Sequence, residues 1–208
     1  MCHVVINPKE VAERIQAVMD DPFVTTPVAI SNTIIEMVEL LRDKPVYLPV
    51  QEEKGEQLNE CFNVVARKVK RDGGSIVHGW VIWEWPTLFV EGEHHAVWQS
   101  TSGELIDVVP RIHGEKRILF LPEPARVHTG LRLPNVRRPI SKADEVWQFL
   151  YASVQLEKLM GPEPGYFHVT EEMARMQLAQ AYFQLKMRDM TPRHLVDVAR
   201  IHARTPLT

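Results

Sequence analysis

Hydrophobic residues recur at helical spacing near both ends of the chain. Between the ends they give way to β-branched and aromatic runs divided by turn residues. Asn7-Pro8-Lys9-Glu10 has the form of a helix start: a cap, a proline at the first helical position and an acid three residues past the cap. Val11, Ile15, Val18 and Met19 then line one face, and Asp20-Asp21-Pro22 ends the segment. A second helix is expected over about 31–42, with Ile34, Ile35, Val38 and Leu41 as its apolar set and Lys44-Pro45 as its stop.

The middle of the chain reads differently. A short strand at Val46-Tyr47-Leu48 precedes a helix capped by Asn59, whose apolar face is Phe62, Val65 and Val69 and whose stop is Gly73-Gly74. Strands are expected over 75–85, 88–99, 104–109 and 117–121, with Ser102-Gly103 marking a hairpin. Residues 122–139 are rich in proline and arginine without a period, which reads as an extended surface connection. Ser141 then opens a helix carrying Val146, Trp147, Leu150, Val154 and Leu159, broken by the run from Gly161 to Gly165. Thr170 opens another, whose Met173, Met176, Phe183 and Met187 are expected to fill core, and Thr191-Pro192 starts a third.

This pattern predicts an α+β fold: a central antiparallel sheet with the Cys61 helix packed on it, flanked by N- and C-terminal helices. It divides the chain into a core over 1–121, a connection over 122–140 and a helical extension over 141–208, forming one domain overall.

Composition narrows the partners. The 208 residues are 45% hydrophobic and 25% charged, an ordinary globular balance, and the formal net charge of −3 gives no general pull toward nucleic acid or an anionic membrane. Arg126, Arg132, Arg137 and Arg138 offer charges for phosphate, but no aromatic residues are interleaved with them for base stacking, so nucleic acid is not an expected partner. No apolar run is long enough to span a bilayer, and MCHVVINPKE lacks the plan of a signal peptide. Two cysteines do not make a disulfide framework. A reducing, cytoplasmic setting is the expectation, and there a free thiol stays available.

One of those cysteines carries the candidate chemistry. Cys61 falls in the first turn of its helix, where unpaired amides and the helix dipole favour a thiolate. Taken alone, the stretch QLNECFNVVARKVKRDGG favours a small buried hydrophobe, which is what most free cysteines are. The following strands change the balance, because VEGEHHAVWQ holds His94 and His95 and ELIDVVP holds Asp107. A thiol nucleophile needs a base within reach, and the base needs a group to fix its tautomer. A hairpin centred near Ser102 would bring Asp107 roughly opposite residues 95 to 98.

Cys61 at a helix start, His95-Ala96-Val97 on a strand and Asp107 on the next, in GELIDVVP, resemble the papain-like and transglutaminase-like cysteine enzymes over about residues 57–110. The resemblance implies a thiol-dependent acyl-transfer activity of peptidase, amidase, deamidase or transglutaminase type on a peptide, amide or ester, with no cofactor. It assigns Cys61 as nucleophile, His95 as base and Asp107 as the orienting group, with His94 as the alternative base, since neighbouring strand residues face opposite ways. Two features depart from the family. Phe62 stands where papain-type enzymes have tryptophan, and Gln57 and Asn59 are the nearest amides to the usual oxyanion position.

Two further readings accompany this one. In GWVIWEW, alternation puts Trp83 and Trp85 opposite Ile82 and Glu84. These rings either fill core or form the aromatic wall of a substrate cleft, with Glu84 at its edge. The same cleft on a non-catalytic peptide or small-molecule binding domain is the alternative function. Glu91, Glu93, His94, His95 and His113 supply metal-ligand types, but the histidines diverge on a strand and no His-Glu-x-x-His or paired Cys-x-x-Cys spacing occurs, so no metal is expected.

Overall fold

The computed structural model describes residues 24–39, 44–123, 133–161, 170–189 and 191–207. The expected helix beginning at Asn7-Pro8, Cys2, and Arg126 and Arg132 of the connection lie outside the described residues. The chain divides into two compact units, one of 24–141 with 191–208 and one of 1–23 with 142–190. The last helix thus groups with the sheet, not with the two helices that precede it.

The first unit is built on a six-stranded antiparallel sheet of β1 (Val46–Pro49), β2 (Ser75–Trp85), β3 (Phe89–Gln99), β4 (Leu105–Ile106), β5 (Arg117–Pro122) and β6 (Val136–Pro139). The order is β1-β5-β2-β3-β4, and β6 pairs with the other half of the outer edge of β3. The hairpin is centred where the turn chemistry places it, with Trp98 opposite Ile106 and Gln99 opposite Leu105, symmetric about Ser102. β6 lies within the stretch read above as an irregular connection. Its Pro139 lacks a ladder donor, which an edge strand tolerates, and its Arg137 pairs with Glu91 of β3.

Past β4 the chain turns back to β1. Asp107 bridges Val50 in parallel, with Asp107 N donating to Pro49 O and Gln51 N to Asp107 O. The two edges of the sheet therefore meet at Asp107. On one face of the curled sheet Leu48, Val50, Val81, Val97, Ile118 and Phe120 form a buried cluster. On the other face lie two helices. α1 (Asn32–Glu39) sets Ile34, Met37 and Val38 against Trp80, Ile82 and Leu121, while its Ile35 is exposed. α2 (Cys61–Asp72) sets Cys61, Val64 and Val65 against Ala96, Ile106 and Val108.

The second unit contains α3 (Asp144–Met160) and α4 (Glu171–Arg188); Thr170 caps α4, its hydroxyl accepting from Met173 N at 3.2 Å. The expectation that the methionines fill core is overturned. Met173, Met176, Phe183 and Met187 are exposed, as is Trp147 of α3, and α4 instead buries Ala174, Ala179, Ala181, Tyr182 and Leu185. Small residues let two helix backbones approach closely, so the alanine face packs and the longer side chains are displaced outward. Phe149 and Tyr182 rings meet between α3 and α4 with centroids 5.7 Å apart. α5 (Arg193–Arg204) belongs to the sheet unit, where Lys116 N donates to Ala203 O and Arg204 Nε to His113 O. Among the described residues no helix is long and apolar enough to cross a membrane.

Candidate active site

The local chain around Cys61 differs from expectation at its cap. Asn59 is not the N-cap: it sits at φ +62°, in the left-handed region that asparagine tolerates better than most residues. The N-cap is Glu60, which makes no side-chain bond to the first-turn amides and accepts from Asn63 Nδ2 at 2.5 Å. α2 therefore begins at Cys61 with its amide end free of a side-chain cap.

Alternation places Ala96 and His94 on the face that α2 covers and His95 on the face of Val81 and Val97. On this register alone His94 would face the thiol. The edge of the sheet changes that outcome. β6 pairs with residues 89–92 of β3 and β4 with 98–99, so no strand covers the outer edge from Glu93 to Val97. At this gap groups from both faces reach one cleft of about 470 Å³, lined by residues including Cys61, Trp83, Glu93, His94, His95 and Arg111. Cys61, 7% exposed, lines this cleft beside His95 and is one of the groups that raise its imidazole. His94 packs among Phe62, Trp80 and His78, with ring centroids at 5.1, 5.5 and 6.5 Å.

Asp107 is fully buried and holds the imidazole. His95 Nε2 lies 3.1 Å from Asp107 Oδ1, and Val109 N donates to the same oxygen at 3.3 Å. Arg111 donates to Oδ2 through Nε at 2.8 Å and also through Nη2. Arg111 Nη2 stands 3.0 Å from His95 Nε2. With the Nε2 proton given to the carboxylate, those two donors share an acceptor and do not bond each other. That tautomer leaves Nδ1 as the ring nitrogen not engaged by Asp107.

The charges follow from this arrangement. Burial by itself would push the His95 imidazolium toward losing its proton, but the Asp107 carboxylate and then Cys61 hold it up to about 9. Burial opposes the Asp107 charge as well, and the Arg111 guanidinium and His95 outweigh it, holding the carboxyl below its ordinary value. Burial raises Glu84, which lies outside the cleft with its backbone paired to Thr25.

The other expected residues separate. Trp83 lines the cleft, its indole donating to Glu93 Oε2 at 3.0 Å and its ring lying 5.3 Å from the Arg111 guanidinium carbon. Asn59 also lines it. Trp85 does not: it is fully buried against Phe89, because the strand carries it past the gap into the core. Gln57 is exposed and outside the cleft lining, and Glu84 is likewise absent from the wall. Arg111 is the residue sequence reasoning missed. Its signal was present as an arginine four positions after Asp107, just past Pro110. Among the described residues no three histidine, cysteine, aspartate or glutamate side chains converge as metal donors. No family model, curated protein or solved structure matches this chain.

Proposed function

We propose that the protein is a thiol-dependent acyl-transfer enzyme acting on a peptide, amide or ester. The observation that carries this reading is the buried His95 ring, bonded through Nε2 to Asp107 and lining one cleft with Cys61. The Cys61 thiolate, its proton already held by the His95 imidazolium, attacks the carbonyl carbon, forming a C–S bond as the carbonyl π pair moves to oxygen. His95 then gives that proton to the departing amine or alcohol, leaving an acyl thioester on Cys61. Water or an acceptor amine attacks the thioester, its proton passing through His95 back to the thiol. Asp107 stabilises the imidazolium formed on the way. The uncapped amides at the start of α2 are the donors available to the carbonyl oxygen as it gains charge, with Asn59 at the cleft wall beside them. The chemistry suits a reducing, cytoplasmic compartment, where the thiol persists.

A non-catalytic binding domain is the second reading, favoured by the apolar packing of Cys61 among Val64, Val65 and Ala96. Profiling against mixed peptide, amide and ester libraries separates the two. Turnover lost in Cys61→Ala, with a thioester trapped on the wild type, supports the enzyme. Ligand capture without turnover, together with a Cys61 inert to thiol-directed electrophiles, supports the binding domain.

A further inference from the structure

The cleft beside Cys61 is more acidic than its triad requires. Glu60, Glu91, Glu93 and Glu115 line it, while the guanidinium in its wall, Arg111, is bonded to Asp107. Three of these acids have donors. Glu60 accepts from Asn63, Glu93 from the Trp83 indole, and Glu91 from both Asn135 Nδ2 at 2.8 Å and Arg137 Nε at 2.5 Å. Glu115 differs. It is only 3% exposed, yet among the described residues no hydrogen bond or ion pair reaches its carboxylate. A carboxylate that lines a cleft and is met by no donor of its own chain is open to a cation brought by a ligand.

We propose that the cleft takes substrates bearing an organic cation, a primary ammonium or a guanidinium, with Glu115 as the counter-charge. The word substrate rests on the acyl-transfer reading; the cation site itself does not. Glu93 reinforces the negative potential from β3, two positions from His95 and so on the same face of the strand. Binding the cation at Glu115 would leave a carbonyl elsewhere on the ligand for Cys61, and the same carboxylates disfavour anionic ligands.

The test uses Cys61→Ala, in which chemistry is impossible, so a failure of acyl transfer and a failure of the cation site remain distinct. Butylguanidinium, butylammonium, neutral pentanamide and pentanoate are titrated while the Glu115 side-chain carboxyl carbon is followed by NMR. Both cations are expected to shift that carbon saturably and to bind about tenfold or more tighter than pentanamide, with pentanoate weakest. Glu115→Gln should abolish the preference while leaving pentanamide binding intact. Nα-acetyl-arginine N-methylamide and agmatine then distinguish a peptide source of the cation from a free polyamine. Equal affinity for cationic and neutral probes, or a cation response that bypasses the Glu115 carbon, overturns the proposal. The carbon readout stands even if Glu115→Gln does not fold.

Discussion

His95 Nε2 and Asp107 Oδ1 lie 3.1 Å apart across the edge of the sheet, although they stand twelve positions apart along strand and hairpin. The carboxylate that makes this contact is pinned twice. Its backbone bridges Val50 of the opposite edge, and its second oxygen accepts from Arg111. The imidazole is thereby held at the cleft that Cys61 also lines. Asp107→Asn should keep the fold while removing the charge that supports an imidazolium. In a Cys2→Ser background, iodoacetamide labelling of Cys61 at about pH 6 to 7 should slow roughly tenfold or more. An unchanged rate would remove Asp107 from the site.

His95→Ala addresses the thiol directly. Cys61 and the His95 ring line one cleft, so in the same background this substitution should slow alkylation near neutral pH more than Asp107→Asn does. His94→Ala should have the smaller effect, because His94 packs on Phe62 and Trp80. The opposite order would make His94 the base.

Stability should depend on pH through the same ring. The folded-state value of His95 is raised from 6.5 to about 9, so the stabilisation it brings is fully present below 6.5 and is lost as pH rises through about 9. Asp107 is held below 3.8, so its contribution is lost instead as pH falls below that value. The urea midpoint of the wild type should therefore decline between about pH 6.5 and 9, and His95→Gln should flatten that limb. A midpoint that rises over this interval contradicts the imidazolium–carboxylate pair.

Arg111 is the counter-charge of a fully buried carboxylate. Arg111→Met leaves Asp107 without its cation and should cost on the order of 3 kcal/mol in urea unfolding. Arg111→Lys keeps the charge but cannot supply the paired donors, and should fall between the two. Equal stability of all three forms would show that Asp107 is satisfied without Arg111.

Gly79 stands opposite His95 in the β2–β3 ladder. A Cβ there would come within 2.2 Å of Leu121 O and 2.6 Å of Phe120 Cζ, and Phe120 is the ring whose centroid lies 6.5 Å from that of His95. Gly79→Ala should therefore part β2 from β5, destabilise by about 1–3 kcal/mol and slow Cys61 alkylation. Gly92→Ala is the control on the neighbouring strand: its nearest atom would be Met37 Cε at 3.7 Å, so the substitution should be tolerated. Loss of stability in both would point to a general intolerance of side chains in the sheet.

The sequence by itself determined the parts held by local geometry. β2 runs over the 75–85 segment that its β-branched and aromatic residues mark, and Ser102 centres the hairpin. α2 ends where Gly73 and Gly74 stop it. These features depend on neighbours within a turn or a strand, where composition and period act directly. Contacts between distant segments were decided by the tertiary structure. Asn59 reads as a cap, yet the approach to α2 puts it in the left-handed region. The methionines of α4 have helical spacing, but its alanine face is the one that packs. β6 hides in an arginine- and proline-rich stretch because an edge strand needs only one partner, Phe89–Gly92 of β3. The candidate site depends on this level most of all. Cys61 and His95 belong to opposite faces of the sheet, and strand alternation alone would keep them apart. Both nevertheless line one cleft, because β6 and β4 leave Glu93–Val97 uncovered and the sheet curls until Asp107 bridges Val50. That closure joins residues distant in the chain, which a repeating local pattern cannot encode.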